Sequence, residues 1–300
     1  MKIKKVILFI IDGMDTVNFT MANTPVMSGW HGKTAVGVAH TEIIGAGTTI
    51  TPIAHGMMGT GFNIIAHRPG AHTTGRCFDY YGNPVETIGD VAREAGLKTA
   101  AVGKNEAAIV LGGLDVLDLS RLEKDGVDTT DDRVMVEETL KVYQQIDQGI
   151  IVVTYNAVDF AGHIMSVKRI IDSVERADKM VGEIIKNVNL AETLLVIAAD
   201  HGTNPLTGNH NTIPTPLCLI TEAITGRVNL GIVHNIEIAI TICSALNLRK
   251  PKQALGRNLL EIALGGKSDL SYREVIDEQL QELYRNQPKR HELALKGEVL

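Results

Sequence analysis

The chain has 300 residues, 44% of them hydrophobic, enough for one large core that needs no covalent or metal staple to hold together. A net charge of −6 gives no basic stripe of the kind that marks a nucleic-acid partner, and no stretch is long and apolar enough to suggest a bilayer span. Three isolated cysteines, Cys77, Cys218 and Cys243, form no C-x-x-C pair; two lie in apolar stretches and read as small core residues, and the set suggests a reducing compartment.

The first apolar run, KVILFIID at 5–12, is continuous, as a strand covered on both faces is. It follows a basic start that imitates a secretory leader. However, it is short, ends on Asp12 and lacks a small-residue cleavage site, so a cytoplasmic location is expected. A second strand is expected at TEIIGAGTTI, 41–50. The segment TPIAHGMM then reads as a helix with Pro52 at its first position and Thr51 as its N-cap. A hydroxyl there sits beside unpaired backbone N–H groups, a ready pocket for an anion.

The next helix, ETIGDVAREAGL, keeps Ile88, Val91, Ala92 and Ala95 at helical spacing and leads into the strand LKTAAVG at 97–103. TTDDRVMVEETLKVYQQI is a helix that Thr130 or Asp131 could cap. Strands follow at 149–156 (GIIVVTYN), 193–200 (TLLVIAAD) and 215–221 (TPLCLIT), with the helix MSVKRIIDSVERADKMVGEIIKNV between the first two. This alternation predicts an α/β fold, a mainly parallel central sheet with helices on both faces. One domain is expected over 1–265, followed by a charged C-terminal helical tail over 266–300.

In parallel sheets ligands bind at the carboxyl ends of the strands. Here the strands end on Asp12, on the threonines 48, 49 and 51, on Asp159 with His163, and on Asp200 with His201; His210 arrives on the next loop. Each alone has a bland reading as a turn former, cap or loop residue. Together they are a carboxylate and imidazole set suited to zinc, manganese or iron. Two such ions can grip the attacking and leaving oxygens of a phosphoryl transfer. A hydroxyl whose pKa a metal lowers becomes a nucleophile.

These segments resemble the alkaline phosphatase superfamily of metalloenzymes, which includes nucleotide pyrophosphatase/phosphodiesterases, sulfatases, phosphoglycerate mutase and phosphopentomutase. VILFIIDGMD is similar to its opening strand, NTPVMSGW to the Thr-Pro segment after it, and TPIAHGMMGTG to its nucleophile segment. VDFAGH and ADHGTNPLTGNH resemble its two metal-binding motifs. ETIGDVAREAGLKTAAVGK and the closing GRNLL complete the order, from Lys5 to about Leu260.

The resemblance implies that Asp159, His163 and His210 hold one divalent ion. Asp12, Asp200 and His201 would hold the other, with Thr51 as nucleophile bridging toward it. Zinc or manganese is the expected metal, and Lys104 is implied as an anion contact. Ala54 stands where the diesterases carry a phosphate-binding Asn, so that contact is either missing or supplied elsewhere, with His55 and Asn105 as candidate substitutes. The loop FNIIAHRPGAHTTGR at 62–76 is a further candidate for substrate contact, with an ordinary polar loop as the equal alternative.

TPIAH lacks the Pro-Ser-Arg of sulfatases, which argues against formylglycine chemistry. Between Thr60 and Asp159 there is room for core elements but not for the large cap of the mutases, so water can reach a phosphothreonine. The expectation is a two-metal phosphohydrolase, a phosphodiesterase or phosphomonoesterase acting on a small phosphate ester through a covalent phosphothreonine. The alternatives are a phosphomutase of sugar phosphates and a metal-binding member without catalysis. No nucleic-acid or membrane partner is expected, and the oligomeric state is left open.

Overall fold

KVILFII forms strand β1, Lys5–Ile11, and its alternation sends side chains into two cores. Val6, Leu8 and Ile10 enter one, and Ile7, Phe9 and Ile11 the other. A continuous apolar run is thus the signature of a strand buried on both faces. The computed structural model describes residues 2–29, 32–44, 47, 49–63, 75–78, 83–104, 106–113 and 132–295.

Helix α1 (Thr16–Met21) follows β1, capped by Asp15, whose carboxylate accepts from the Asn18 N–H. Next come β2 (Lys33–His40), α2 (Thr51–Thr60), the short pair β3 (Cys77–Phe78) and β4 (Pro84–Val85), and α3 (Ile88–Glu94). Thr87 and Asp90 form a reciprocal capping box at the start of α3. The middle of the chain supplies β5 (Lys98–Val102), α4 (Ala107–Val110), α5 (Asp132–Gln145) and β6 (Gly149–Tyr155). Then follow α6 (Ala157–His163), α7 (Val167–Asn187), β7 (Thr193–Ala198), β8 (Gly202–Thr203) and β9 (His210–Asn211). The last elements are β10 (Thr215–Ile220), β11 (Gly226–His234), α8 (Glu237–Ala245), α9 (Leu259–Ala263) and α10 (Tyr272–Leu295).

Seven strands make the central sheet in the order β11-β2-β10-β7-β1-β6-β5. The strands β7, β1, β6 and β5 are mutually parallel, β10 runs against β7 and β2, and β11 is parallel to β2. One face is covered by α3, α4, α8 and α9, the other by α5, α6 and α7. In α7 the stripe Ile170, Val174, Ala177, Val181 and Ile184 is fully buried, the four-three spacing that keeps one helix face on the sheet. The expected α/β class with a mainly parallel sheet is what the chain adopts.

Three details differ from the sequence reading. The second strand is Lys33–His40; the described residues of 41–50 lie outside any strand, forming the connection that leads to α2. KTAVGVAH is a strand because it pairs on both sides, with β10 and β11. Thr51 is the first helical residue of α2 and not its cap: Ile50 holds the cap position, with no side-chain cap bond. The edge strand β11 was not anticipated, since its exposed pattern and the bulge between Asn229 and Gly231 break the alternation. The proposed caps Thr130 and Asp131 lie outside the described residues.

Helix α10 docks through its first half. Val275 joins Ile44, Met57 and Ile236 in a small core, and the buried Gln279 accepts the Asn63 N–H. Among the described residues no helix is long and apolar enough to cross a membrane.

Candidate metal centre

Three adjacent parallel strands, β7, β1 and β6, end on the same edge of the sheet. Asp12 follows β1, and its N–H bonds the Tyr155 carbonyl at the end of β6. Its own carbonyl accepts the Asp159 N–H at 3.0 Å, which ties the first turn of α6 to the end of β1. Asp200 and His201 follow β7, and both are fully buried. The β8–β9 pair then returns His210 opposite Thr203. The connection after β2 delivers the N-terminus of α2, and with it Thr51.

His201 is the hub. Its Nε2 lies 3.0 Å from Thr51 Oγ1, 3.4 Å from Asp12 Oδ1 and 3.3 Å from Asp200 Oδ2. Its ring stacks on His210 with centroids 3.6 Å apart. Ligand-type atoms of Asp12, Asp200 and His201 all lie within 4.8 Å of one another, and so do those of Asp159, His201 and His210. His163 completes the second group: its Nε2 is 3.0 Å from Asp159 Oδ2, and its ring is 5.3 Å from that of His210. The chain therefore brings together Asp12, Thr51, Asp159, His163, Asp200, His201 and His210. The resemblance implied His201 for one group; the fold sets it beside both.

Whether these atoms suit a cation is decided by where their hydrogens point. The Nδ1 of His163 lies 2.6 Å from the Gly208 carbonyl, and that of His201 is 3.3 Å from the Gly202 carbonyl. A carbonyl only accepts, so each Nδ1 carries the proton and each Nε2 turns a lone pair toward the carboxylates. Asp200 Oδ1 is satisfied by the N–H groups of Gly13, at 3.1 Å, and His201, at 2.9 Å. Asp200 Oδ2 and Asp12 Oδ1 are buried and find no hydrogen-bond partner among the described residues. Buried acceptors left unpaired and facing imidazole lone pairs fit a divalent ion well.

The electrostatics agree. Burial first, then the charges of Asp200 and Asp159, hold the Asp12 carboxyl well above the usual carboxylate range; Lys104 works against them. Burial also acts to raise Asp200, and the hydrogen bond from the Gly13 N–H works against it. Burial and the adjacent His201 push His210 down, favouring the neutral, ligating imidazole.

The expected substrate contacts fall in different places. Lys104, after β5, sets its Nζ 3.5 Å from Asp12 Oδ2 and is 22% exposed, within reach of an anion at the centre. His55 lies one turn beyond Thr51 but is only 1% exposed. Its Nδ1 meets the Glu106 carbonyl at 3.0 Å, and its Nε2 faces Asp200 Oδ2 at 3.9 Å. Asn105 and the 64–74 part of the 62–76 loop lie outside the described residues. Sequence reading overlooked Thr203, whose hydroxyl donates to Asp159 Oδ1 at 2.6 Å. Nothing in the string ADHGT marks that Thr as different from a loop former.

Residues 83–250 match the family described as the metalloenzyme superfamily. The chain is 30% identical over 143 residues to the 2,3-bisphosphoglycerate-independent phosphoglycerate mutase of Pyropia yezoensis, covering 42% of this chain and 27% of that protein. It is 30% identical over 179 residues to the phosphopentomutase of Clostridium kluyveri, covering 58% of this chain and 43% of that one. It thus spans less than half the length of these curated relatives. Among solved structures, the alkaline phosphatase from the Antarctic bacterium TAB5 superposes with a TM-score of 0.59 at 15% identity, over 83% of this chain and all of that one. Murine ectonucleotide pyrophosphatase/phosphodiesterase 5 gives 0.60 at 13%, over 82% of this chain and 96% of that one. At such identities these two establish the shared fold.

Proposed function

The chain belongs to the metalloenzyme superfamily, and on that premise we propose that it is a two-metal phosphoryl-transfer enzyme, a phosphohydrolase with Thr51 as nucleophile. The carrying observation is the position of Thr51 Oγ1, 3.0 Å from the same His201 Nε2 that faces Asp12 and Asp200. Asp12, Asp200, His201 and Thr51 would hold one ion, and Asp159, His163 and His210 the other. Zinc or manganese suits this oxygen and nitrogen set. The ions, when bound, supply Lewis-acid charge that lowers the pKa of the threonine hydroxyl and stabilises the departing oxygen.

The chain's own residues do the rest. The Thr51 oxygen sits at the N-terminus of α2, where the positive end of the helix dipole favours the negative phosphoryl oxygens. It attacks phosphorus, the ester oxygen leaves as the alcohol, and a phosphothreonine forms. Water then attacks that phosphorus, the P–O bond to Thr51 breaks, and phosphate and the free hydroxyl are restored. Lys104, beside Asp12, adds positive charge for the transferred group. Asn105 would supply a further contact. His55 has no direct substrate role in this reading, because its burial keeps it from reaching one.

Hydrolysis is favoured over mutase chemistry because the described residues between Thr60 and Asp159 belong to the central sheet, its covering helices and one short strand pair. Mutase activity is the second reading, supported by the phosphopentomutase and phosphoglycerate mutase relatives. The deciding assay supplies zinc or manganese to the purified protein with aryl phosphate, bis-aryl phosphate and a pentose phosphate. Released phosphate or aryl alcohol, with a phosphorylated Thr51 peptide trapped in acid, supports the hydrolase. An isomerised sugar phosphate with no phosphate release replaces it with the mutase. Neither product, with both ions bound, leaves a non-catalytic metal-binding protein.

A further inference from the structure

Thr203 bonds Asp159, pairs with His210 across the β8–β9 ladder and packs on Gly162, yet it belongs to neither ligand set. It is fully buried, and its hydroxyl donates to Asp159 Oδ1 at 2.6 Å, a short charge-assisted bond. It lies two residues after His201 and directly across the β8–β9 pair from His210. Two glycines make room for it. A Cβ at Gly13, next to Asp12, would come within 2.7 Å of the Thr203 hydroxyl and 2.6 Å of Asp159 Cα. A Cβ at Gly162, next to His163, would come within 2.3 Å of its methyl. Gly13 also has φ +82, a conformation open to glycine at little cost.

A threonine held between two backbones has one position for its hydroxyl. Its single proton fixes one oxygen of Asp159 and with it the plane of the carboxylate. With that plane fixed, Oδ2 lies 3.0 Å from His163 Nε2 and Oδ1 lies 3.5 Å from His210 Nε2. Resting on the two-metal reading above, we propose that Thr203 is the positioning residue of the Asp159–His163–His210 ion: it orients the Asp159 carboxylate and sets the affinity of that ion without binding it. A hydrogen bond that holds a ligating carboxylate in place changes metal affinity about 10- to 100-fold when removed.

The test is a Mn²⁺ titration of metal-free protein, followed by calorimetry and by the EPR signal of free Mn²⁺, for wild type, Thr203→Val, Thr203→Ala and Thr203→Ser. Valine keeps the shape and removes the hydroxyl; serine keeps the hydroxyl and removes the methyl. The expected result is about a 10- to 100-fold loss at one of two ions in the valine and alanine variants. The other ion stays unchanged, and serine restores the affinity to within about threefold. If valine fails to fold, alanine carries the comparison, since it adds no atoms to the site. Unchanged binding, an equal loss at both ions, or a loss in serine as large as in valine overturns the proposal. A wild-type protein that binds no divalent ion would instead remove the two-metal reading itself.

Discussion

Thr51 and His201 are 150 residues apart in the chain, and their Oγ1 and Nε2 atoms stand 3.0 Å apart. The contact joins the N-terminus of α2 to the turn after β7, so it depends on the whole order of the sheet between them. Replacing Thr51 by alanine removes one oxygen from the centre and leaves the carboxylates and imidazoles. We expect turnover to fall by about a thousandfold or more while ion affinity changes by less than about tenfold. Thr51→Ser should keep measurable turnover and the trapped phosphopeptide. Steady-state rates alongside ion titration of both variants check this; wild-type turnover in Thr51→Ala removes the nucleophile assignment.

Asp12 bears the strain of a buried acidic cluster. Its carboxyl titrates above the value of about 3.8 that it has in the unfolded chain, through burial first and then Asp200 and Asp159. In metal-free protein the folded state therefore binds more protons at this site than the unfolded state does, from about pH 3.8 upward. The group's contribution to stability consequently declines as pH rises through that window. Asp12→Asn should make the metal-free protein more stable at pH 8 by about 1–3 kcal/mol, with a smaller gap at pH 5. Ion affinity should fall in the same variant. Urea unfolding with chelator at the two pH values tests the sign; a less stable Asp12→Asn at pH 8 contradicts it.

Much of this was readable from the chain because parallel strands buried on both faces leave unbroken apolar runs. Lys5–Ile11, Gly149–Tyr155 and Thr193–Ala198 are such runs, and each is followed by residues of the candidate metal site. What could not be read depends on partners distant in sequence. The apolar residues of the β2 run KTAVGVAH are only the small Ala and Val, whereas TEIIGAGTTI carries Ile43, Ile44 and Ile50 and imitates a strand. Ile44 instead belongs to the small core beside Val275 of α10, a contact no local pattern records. Thr203 acquires its meaning from Asp159, 44 residues earlier. His55 has the helical spacing that aims it along the face of Thr51, but its burial follows from α4 and the Glu106 carbonyl.

The three cysteines are all buried and free. Burial is the main cause that pushes the thiols of Cys77, Cys218 and Cys243 up to about 12. At pH 8 almost none is thiolate, and the thiolate is the reactive form. The native protein should therefore react negligibly with an aromatic disulfide reagent at pH 8 and release three equivalents once denatured. Fast reaction of a native thiol would show that one of these sites opens to solvent.

His234 gives a pH dependence away from the metal centre. It ends β11 and is 1% exposed. Its Nε2 meets the Glu42 carbonyl at 3.0 Å, while its Nδ1 accepts the Ile236 N–H at 3.4 Å. Both nitrogens are thus satisfied in the neutral ring, and a second proton on Nδ1 would confront an N–H. Burial lowers the pKa from 6.5 to about 4, assisted by His40 and opposed by Glu42. Between these values the unfolded chain holds a proton that the folded chain lacks, so stability rises with pH across the window and is lost as pH falls through it. The full span corresponds to about 3 kcal/mol. His234→Gln should be less stable than wild type at pH 7 and should show a shallower decline in unfolding free energy between pH 6.5 and 4. Parallel slopes for the two proteins would mean that His234 is protonated in the fold and that the neutral, doubly bonded ring is wrong.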